Sequence, residues 1–207
     1  AGKGVPQDYD EAINWYTKAA EQGHTLAQFT LGELFYAEGI AGYGKAEKWY
    51  REAADNGYAK AQFALGTMLL EGLGIPANQK EAAVWFLKAA NQGNVKAQTN
   101  LGVMYEQGTG VHENLVEAVK WYREAAVQGY GKAQVLLGHM YQRGLGVEQS
   151  YEEAYMWYME AVKNGNESGL RLLGWMYEHG EFVDRNLLMA FMWYDHAANR
   201  GLQDATE

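Results

Sequence analysis

The sequence predicts an all-α fold, an α-α superhelix (solenoid) of helix-turn-helix repeats, and three observations predict it. Six of the seven tryptophans, Trp15, Trp49, Trp85, Trp121, Trp157 and Trp193, stand 34, 36, 36, 36 and 36 residues apart. A fixed period of this size is the mark of stacked helical hairpins. Each period holds two segments with apolar residues at i, i+3, i+4 and i+7 and no proline, the spacing of an amphipathic helix and not of a strand. A glycine follows each segment, where a residue without Cβ can adopt the left-handed cap conformation.

The elements follow in order. Residues 1–23 form a partial repeat: Gly2, Gly4 and Val5 fall where GTGV and GLGV fall later, and WYTKAAEQG then closes a lone second helix at Gly23. Full repeats occupy 24–57, 58–93, 94–129, 130–165 and 166–201, and residues 202–207 begin another, with Ala205 at its first alanine. In each full repeat a first helix, A, is read from AQFTLGELFYAEG, AQFALGTMLLEG, AQTNLGVMYEQGTG, AQVLLGHMYQRGLG and GLRLLGWMYEHG, ending at Gly39, Gly72, Gly108, Gly144 and Gly180. A second helix, B, is read from WYREAADNG, WFLKAANQG, WYREAAVQG, WYMEAVKNG and WYDHAANRG, ending at Gly57, Gly93, Gly129, Gly165 and Gly201.

A glycine inside each A helix (Gly32, Gly66, Gly102, Gly138, Gly174) costs about 1 kcal/mol against alanine, so its recurrence predicts close helix approach. The constant tryptophan is expected to be core. The first full repeat is two residues short around Ala41 to Gly44, and the last has Gly169, Leu170 and Phe182 where the others have Ala, Gln and Gly. The whole of 1–207 is read as one solenoid domain. Neither end shows a polar capping helix, which predicts a piece of a longer array or self-association through the uncapped ends.

Composition narrows function. Lysine and arginine number 17 against 26 acids, a net −9 with no basic run, which argues against nucleic acid and anionic membrane as partners. No apolar stretch approaches the ~20 residues of a membrane span, so no membrane insertion is expected. The first residues lack the apolar stretch of a signal peptide, and the compartment stays open. The absence of cysteine removes disulfides, a thiolate nucleophile and cysteine metal sites.

Within an A helix, with Leu31, Leu65, Leu101, Leu137 or Leu173 at 0°, the recurrent Ala, Met/Leu, Tyr and Gly positions fall between about −60° and +100°. Positions five and two before that leucine, and two and five after it, fall on the opposite side and are expected to face solvent. They are Leu26, Phe29, Glu33 and Tyr36; Lys60, Phe63, Thr67 and Leu70; Lys96, Thr99, Val103 and Glu106; Lys132, Val135, His139 and Gln142; and Ser168, Arg171, Trp175 and Glu178. Phe29, Tyr36, Phe63, Leu70, Val103, Val135 and Trp175 make this face unusually apolar. Two readings stand: a strip that docks a peptide or helix, or extra core buried by superhelical curvature.

No chemistry stands out. The five histidines, His24, His112, His139, His179 and His196, never pair at metal-site spacing, and no metal or cofactor is expected. His139 could meet Glu106 or Trp175 from adjacent repeats, but with no nucleophile beside it. The GTGV and GLGV segments lack the strand and GK[ST] of a phosphate loop and read as turns. The acidic pairs Asp10/Glu11 and Glu152/Glu153 open B helices, where carboxylates complement the positive helix end.

The pattern LGxxY, then GxGV, then AxxWYxxAAxxG resembles the Sel1-like repeat family, relatives of the tetratricopeptide repeats, over nearly the whole chain. The resemblance implies A helices lining a concave groove, and a scaffold or adaptor binding a peptide, helix or protein partner there, not an enzyme. The partner-binding residues are then Phe29, Glu33, Tyr36, Phe63, Thr67, Leu70, Thr99, Val103, Glu106, Val135, His139, Gln142, Arg171, Trp175 and Glu178. Some bacterial relatives pair cysteines within each repeat, which this chain cannot do. The alternatives are a bacterial envelope-related hydrolase, acting on cell wall or β-lactam, and a purely architectural self-associating spacer.

Overall fold

The computed structural model of the chain describes residues 9–204, with side chains from 11 to 199. Among these residues all regular structure is helical, in the order α1 (Tyr9–Glu21), α2 (Thr25–Ala37), α3 (Tyr43–Asp55), α4 (Ala59–Glu71), α5 (Gln79–Asn91), α6 (Val95–Gln107), α7 (Leu115–Ala126), α8 (Gly131–Arg143), α9 (Tyr151–Lys163), α10 (Glu167–His179) and α11 (Leu187–Asp204). Even-numbered helices are the A helices and odd-numbered the B helices. The opening residues 1–8 and Ala205, read above as pieces of neighbouring repeats, lie outside the described residues.

Local sequence explains the boundaries. Asn78, Asn114 and Ser150 cap α5, α7 and α9 by accepting from the backbone N–H of Glu81, Glu117 and Glu153, and those glutamates sit where the helix dipole favours a carboxylate. The B helices α1, α3, α5, α7 and α9 end at glycines with φ between 78° and 85°, at Gly23, Gly57, Gly93, Gly129 and Gly165. The next N–H closes the turn, as from Tyr58 to the Ala53 carbonyl at 3.0 Å. Gly201 departs from the expectation, since α11 runs through it to Asp204. In the five other copies the left-handed turn is held by a following A helix, and among the described residues none follows α11.

The A helices end as read, at Gly39, Gly72, Gly108, Gly144 and Gly180, all with positive φ. In the shortened first repeat a 3-10 turn, Gly39–Ala41, carries the chain directly into α3, whose N-terminus has no side-chain cap. The loop glycines Gly74, Gly110 and Gly146 have φ near 70°, and Phe182, in the same place, takes φ 66°. The backbone thus keeps its turn with a residue for which it is strained. The Phe182 ring is held 5.5 Å from that of Tyr155. Comparing Phe182→Gly with Phe182→Ala removes the ring from both; the glycine variant is expected to be more stable by about 1–2 kcal/mol in urea unfolding. Equal stability would mean that the turn carries no strain.

The chain divides into two compact units, residues 1–97 and 98–207, with the division inside α6. In the first unit Trp49 packs with Ala20, Ala27 and Leu31 of the preceding hairpin. The aromatic residue after each tryptophan lies on the A-helix glycine: a Cβ on Gly32 would overlap the Tyr50 ring, and one on Gly66 would stand 2.8 Å from Phe86. A buried glutamine ties the helices together. Gln28 Nε2 donates to the Ala20 carbonyl (3.1 Å) and its Oε1 accepts from Asn56; Gln62 donates to the Ala54 carbonyl (3.1 Å) and accepts from Gln92 (2.8 Å).

The second unit repeats these devices. Gly102, Gly138 and Gly174 lie against Tyr122, Tyr158 and Tyr194. Gln134 donates to the Ala126 carbonyl and accepts from Asn164. In the last repeat the glutamine becomes Leu170, which is fully buried in its place. The close approach read from the internal glycines is therefore present in five copies. The framework tryptophans are less uniform. Trp49, Trp85 and Trp121 are buried, Trp157 and Trp193 half-buried, and Trp15 is 63% exposed. Trp15 corrects the expectation of a wholly buried ladder, because the slot is closed by a preceding hairpin and none is among the described residues.

Candidate functional site

The A-helix face opposite the core is neither open surface nor plain interior. In the first unit Phe29, Tyr36 and Phe63 are half-buried. Their inner edges rest on the framework: Phe29 lies 5.8 Å from Tyr50 and 5.0 Å from Tyr58, and Phe63 lies 5.9 Å from Phe86. Their outer edges line a pocket of about 600 Å³ together with Glu33, Tyr50, Lys60, Ala64, Thr67 and the segment Gly93 to Lys96. Five of the expected residues, Phe29, Glu33, Tyr36, Phe63 and Thr67, thus meet in one cavity. Leu70 is half-buried and does not line it.

Polar groups on this face turn out to serve the core. The Tyr50 hydroxyl donates to Glu33, the Tyr122 hydroxyl to Glu106 at 2.5 Å, the Tyr158 hydroxyl to Gln142 at 2.8 Å and the Tyr194 hydroxyl to Glu178 at 2.8 Å. In the remaining repeat the ring is Phe86, with no hydroxyl, and Leu70 stands where Glu106, Gln142 and Glu178 stand. Donor and acceptor are lost together, as expected if the bond exists to satisfy a buried phenol. Burial first, and then the adjacent carboxylate, holds the Tyr50 and Tyr122 phenols well above their ordinary range. Burial and the Glu178 carboxylate push Tyr194 up to about 12.

Two expected solvent-facing residues are interior. Thr99 is 1% exposed, its short side chain reaching less far from the helix axis than Phe29 or Phe63 at the same position. Gln142 is 8% exposed because its amide lies between the Tyr158 hydroxyl and the Glu181 carboxylate. Val103, Glu106, Val135 and Glu178 are half-buried, and Arg171 is exposed, lining a separate pocket with Ser168 and Tyr194.

In the second unit His139, Gln142 and Trp175 line a pocket of about 550 Å³ with Arg143, Gln149, Tyr151, Leu172 and Glu181. The Trp175 ring stacks on His179 at 4.2 Å. His139 and Trp175 thus share a cavity, whereas the Glu106 carboxylate is engaged by Tyr122. All five histidines are exposed. Among the described residues no group of three or more histidine, aspartate or glutamate side chains is placed to hold a metal ion, and no helix is long and apolar enough to cross a membrane.

Placement on one helix face missed part of both cavities. Lys60 and Lys96 stand on that face outside the expected binding set, and Asn94 and Val95 come from the start of the next A helix. Gln149 and Tyr151 come from a loop and a B-helix start, which no A-helix periodicity could point to.

Comparison with known proteins bears on this geometry. The sequence profile of the Sel1 repeat matches residues 1–24, 25–58, 59–94, 95–130, 131–166 and 168–202. A protective antigen of uropathogenic Escherichia coli, c5321, displaying an SLR fold, is 36% identical over 91% of this chain with a TM-score of 0.85; the chain spans 41% of that protein's length. A Sel1 repeat protein from Oxalobacter formigenes is 36% identical over 94% of this chain and 78% of its own, with a TM-score of 0.79. The immunity protein Pa5087 of Pseudomonas aeruginosa, 23% identical over 96% of this chain and 77% of its own at a TM-score of 0.55, shares the fold alone. Among curated proteins nothing matches the chain.

Proposed function

The chain belongs to the Sel1 repeat family, whose repeats serve protein–protein interaction, and from that premise we propose that it is a scaffold holding a peptide or helix of a partner protein against the groove face of its A helices. The observation that carries the reading is the aromatic pocket of the first unit. Phe29, Tyr36 and Phe63 keep an open edge there, although each already has a ring neighbour behind it. Half-buried aromatic edges around a cavity are the form of an interaction anchor, since a partner side chain gains apolar burial at little conformational cost. No catalytic step belongs to this reading.

Selecting a random peptide library on the immobilised protein tests it. Selected peptides are expected to bind the wild-type chain and to lose about tenfold or more in affinity for Phe63→Ala, the range of a truncated anchor. Helical circular dichroism of the variant is expected to stay close to wild type. Peptides held equally by both proteins would remove the pocket from the function.

A further inference from the structure

We propose that the pocket of the first unit selects a peptide segment in which a large apolar side chain is flanked by carboxylates, the apolar group entering between Phe29 and Phe63 and the carboxylates meeting Lys60 and Lys96. This rests on the groove reading and adds the chemistry of its partner.

Lys60 and Lys96 both line the pocket and are exposed. Among the described residues neither makes an ion pair with an acid of the chain. Each is the second residue of its helix, α4 or α6. A cation in a first helical turn opposes the positive helix end. The B helices α5, α7 and α9 follow that rule, with Glu81, Glu117, Glu152 and Glu153 in their first turns, while α4 and α6, like α3, have no acid there. The two lysines therefore bring their helices no electrostatic benefit, and no internal partner accounts for them.

Their placement is complementary to an acidic ligand. The chain carries −9 overall, so two exposed lysines lining one cavity are a local concentration of positive charge on a negative protein. Glu33, the carboxylate among the lining residues, stands on α2 and is engaged by the Tyr50 hydroxyl, whereas the lysines come from α4 and the start of α6. Phe29, Tyr36, Phe63 and Val95 line the same pocket, an apolar surface that takes a side chain and not a bare anion. An exposed charge of this kind chooses partners and speeds encounter more than it adds affinity.

The peptides selected on the wild-type chain are read for composition and then measured by fluorescence anisotropy against Lys60→Glu/Lys96→Glu. Both lysines are exposed, so the double variant keeps the fold. Expected are Asp or Glu beside Phe, Trp or Leu, a loss of about tenfold on the double variant, and weaker binding as salt rises. A selection on the double variant itself is expected to yield Lys or Arg at those places. Peptides without acidic enrichment, or bound equally by the double variant, would overturn the proposal while leaving the groove reading intact so long as Phe63→Ala weakens them. Equal binding of a poly-glutamate peptide without apolar residues would overturn it too, as a bare anion patch. Indifference to Phe63→Ala would remove the groove reading itself.

Discussion

Raising the pH from about 9 to 11 is expected to take a substantial part of the stability from this protein, and the phenols packed on the A-helix glycines are the reason. Tyr50, Tyr122 and Tyr158 are buried. Burial is the largest cause that raises each of them, with the Glu33, Glu106 and Glu181 carboxylates adding to it. Unfolded, the same phenols lose their protons near pH 10. Above that pH the folded state holds more protons than the unfolded one, so stability is whole below about pH 9 and falls as pH rises. At pH 11 each buried tyrosine accounts for a loss of about 1.4 kcal/mol, together about 4, against a typical total of 5–15.

Tyr155, pushed up to about 12 by burial and its hydrogen bond with Tyr177, and Tyr194 act in the same direction. Both are half-exposed, and solvent screens their share. Following tyrosinate absorbance and helical circular dichroism in one titration checks the prediction. The part of the tyrosinate signal that comes from the buried phenols is expected to appear only together with the loss of helicity above pH 10. Complete ionisation of all the tyrosines with helicity retained would show that the buried phenols are open to water.

That tyrosine set also shows where the sequence could be read and where it could not. The tryptophan period and the paired glycine stops gave the helices and their ends, because every copy must meet the same local demand for an apolar face and a left-handed cap. The Tyr122–Glu106 bond joins residues 16 apart on different helices, and angular placement treats one helix at a time. The signal was nonetheless present: Leu70 and Phe86 drop acceptor and donor together. Side-chain length decided the rest. Position two before the leucine holds Phe63 at a pocket edge and Thr99 in the interior, though both have the same angle on their helix. Trp15 depends on a neighbouring hairpin, and the pocket wall from Gly93 to Lys96 depends on the stacking of one repeat on the next. Neither is a property of a single segment.

Replacing Gly102 by alanine is expected to destabilise the fold, against the ordinary rule for a glycine inside a helix. On helix propensity alone the change would gain about 1 kcal/mol. The new Cβ, however, would stand 2.5 Å from Cε1 and 2.6 Å from Cδ1 of Tyr122, whose ring is fully buried and held by its bond to Glu106. The ring has nowhere to retreat, and overpacking of this kind costs about 1–3 kcal/mol for one added group, more for the branched side chain of Gly102→Val. Net losses of up to about 2 kcal/mol for alanine and about 3 for valine are expected in urea unfolding. Gly44 supplies the opposite case: it lies in the first turn of α3, and a Cβ there meets nothing within 4 Å. Gly44→Ala is therefore expected to be neutral or stabilising by up to about 1 kcal/mol. Adding Tyr122→Leu to Gly102→Ala should recover part of the loss, a coupling that appears only if ring and Cβ compete for the same space. Strict additivity, or stabilisation by Gly102→Ala alone, would mean that the recurrent glycine is not there to admit the ring.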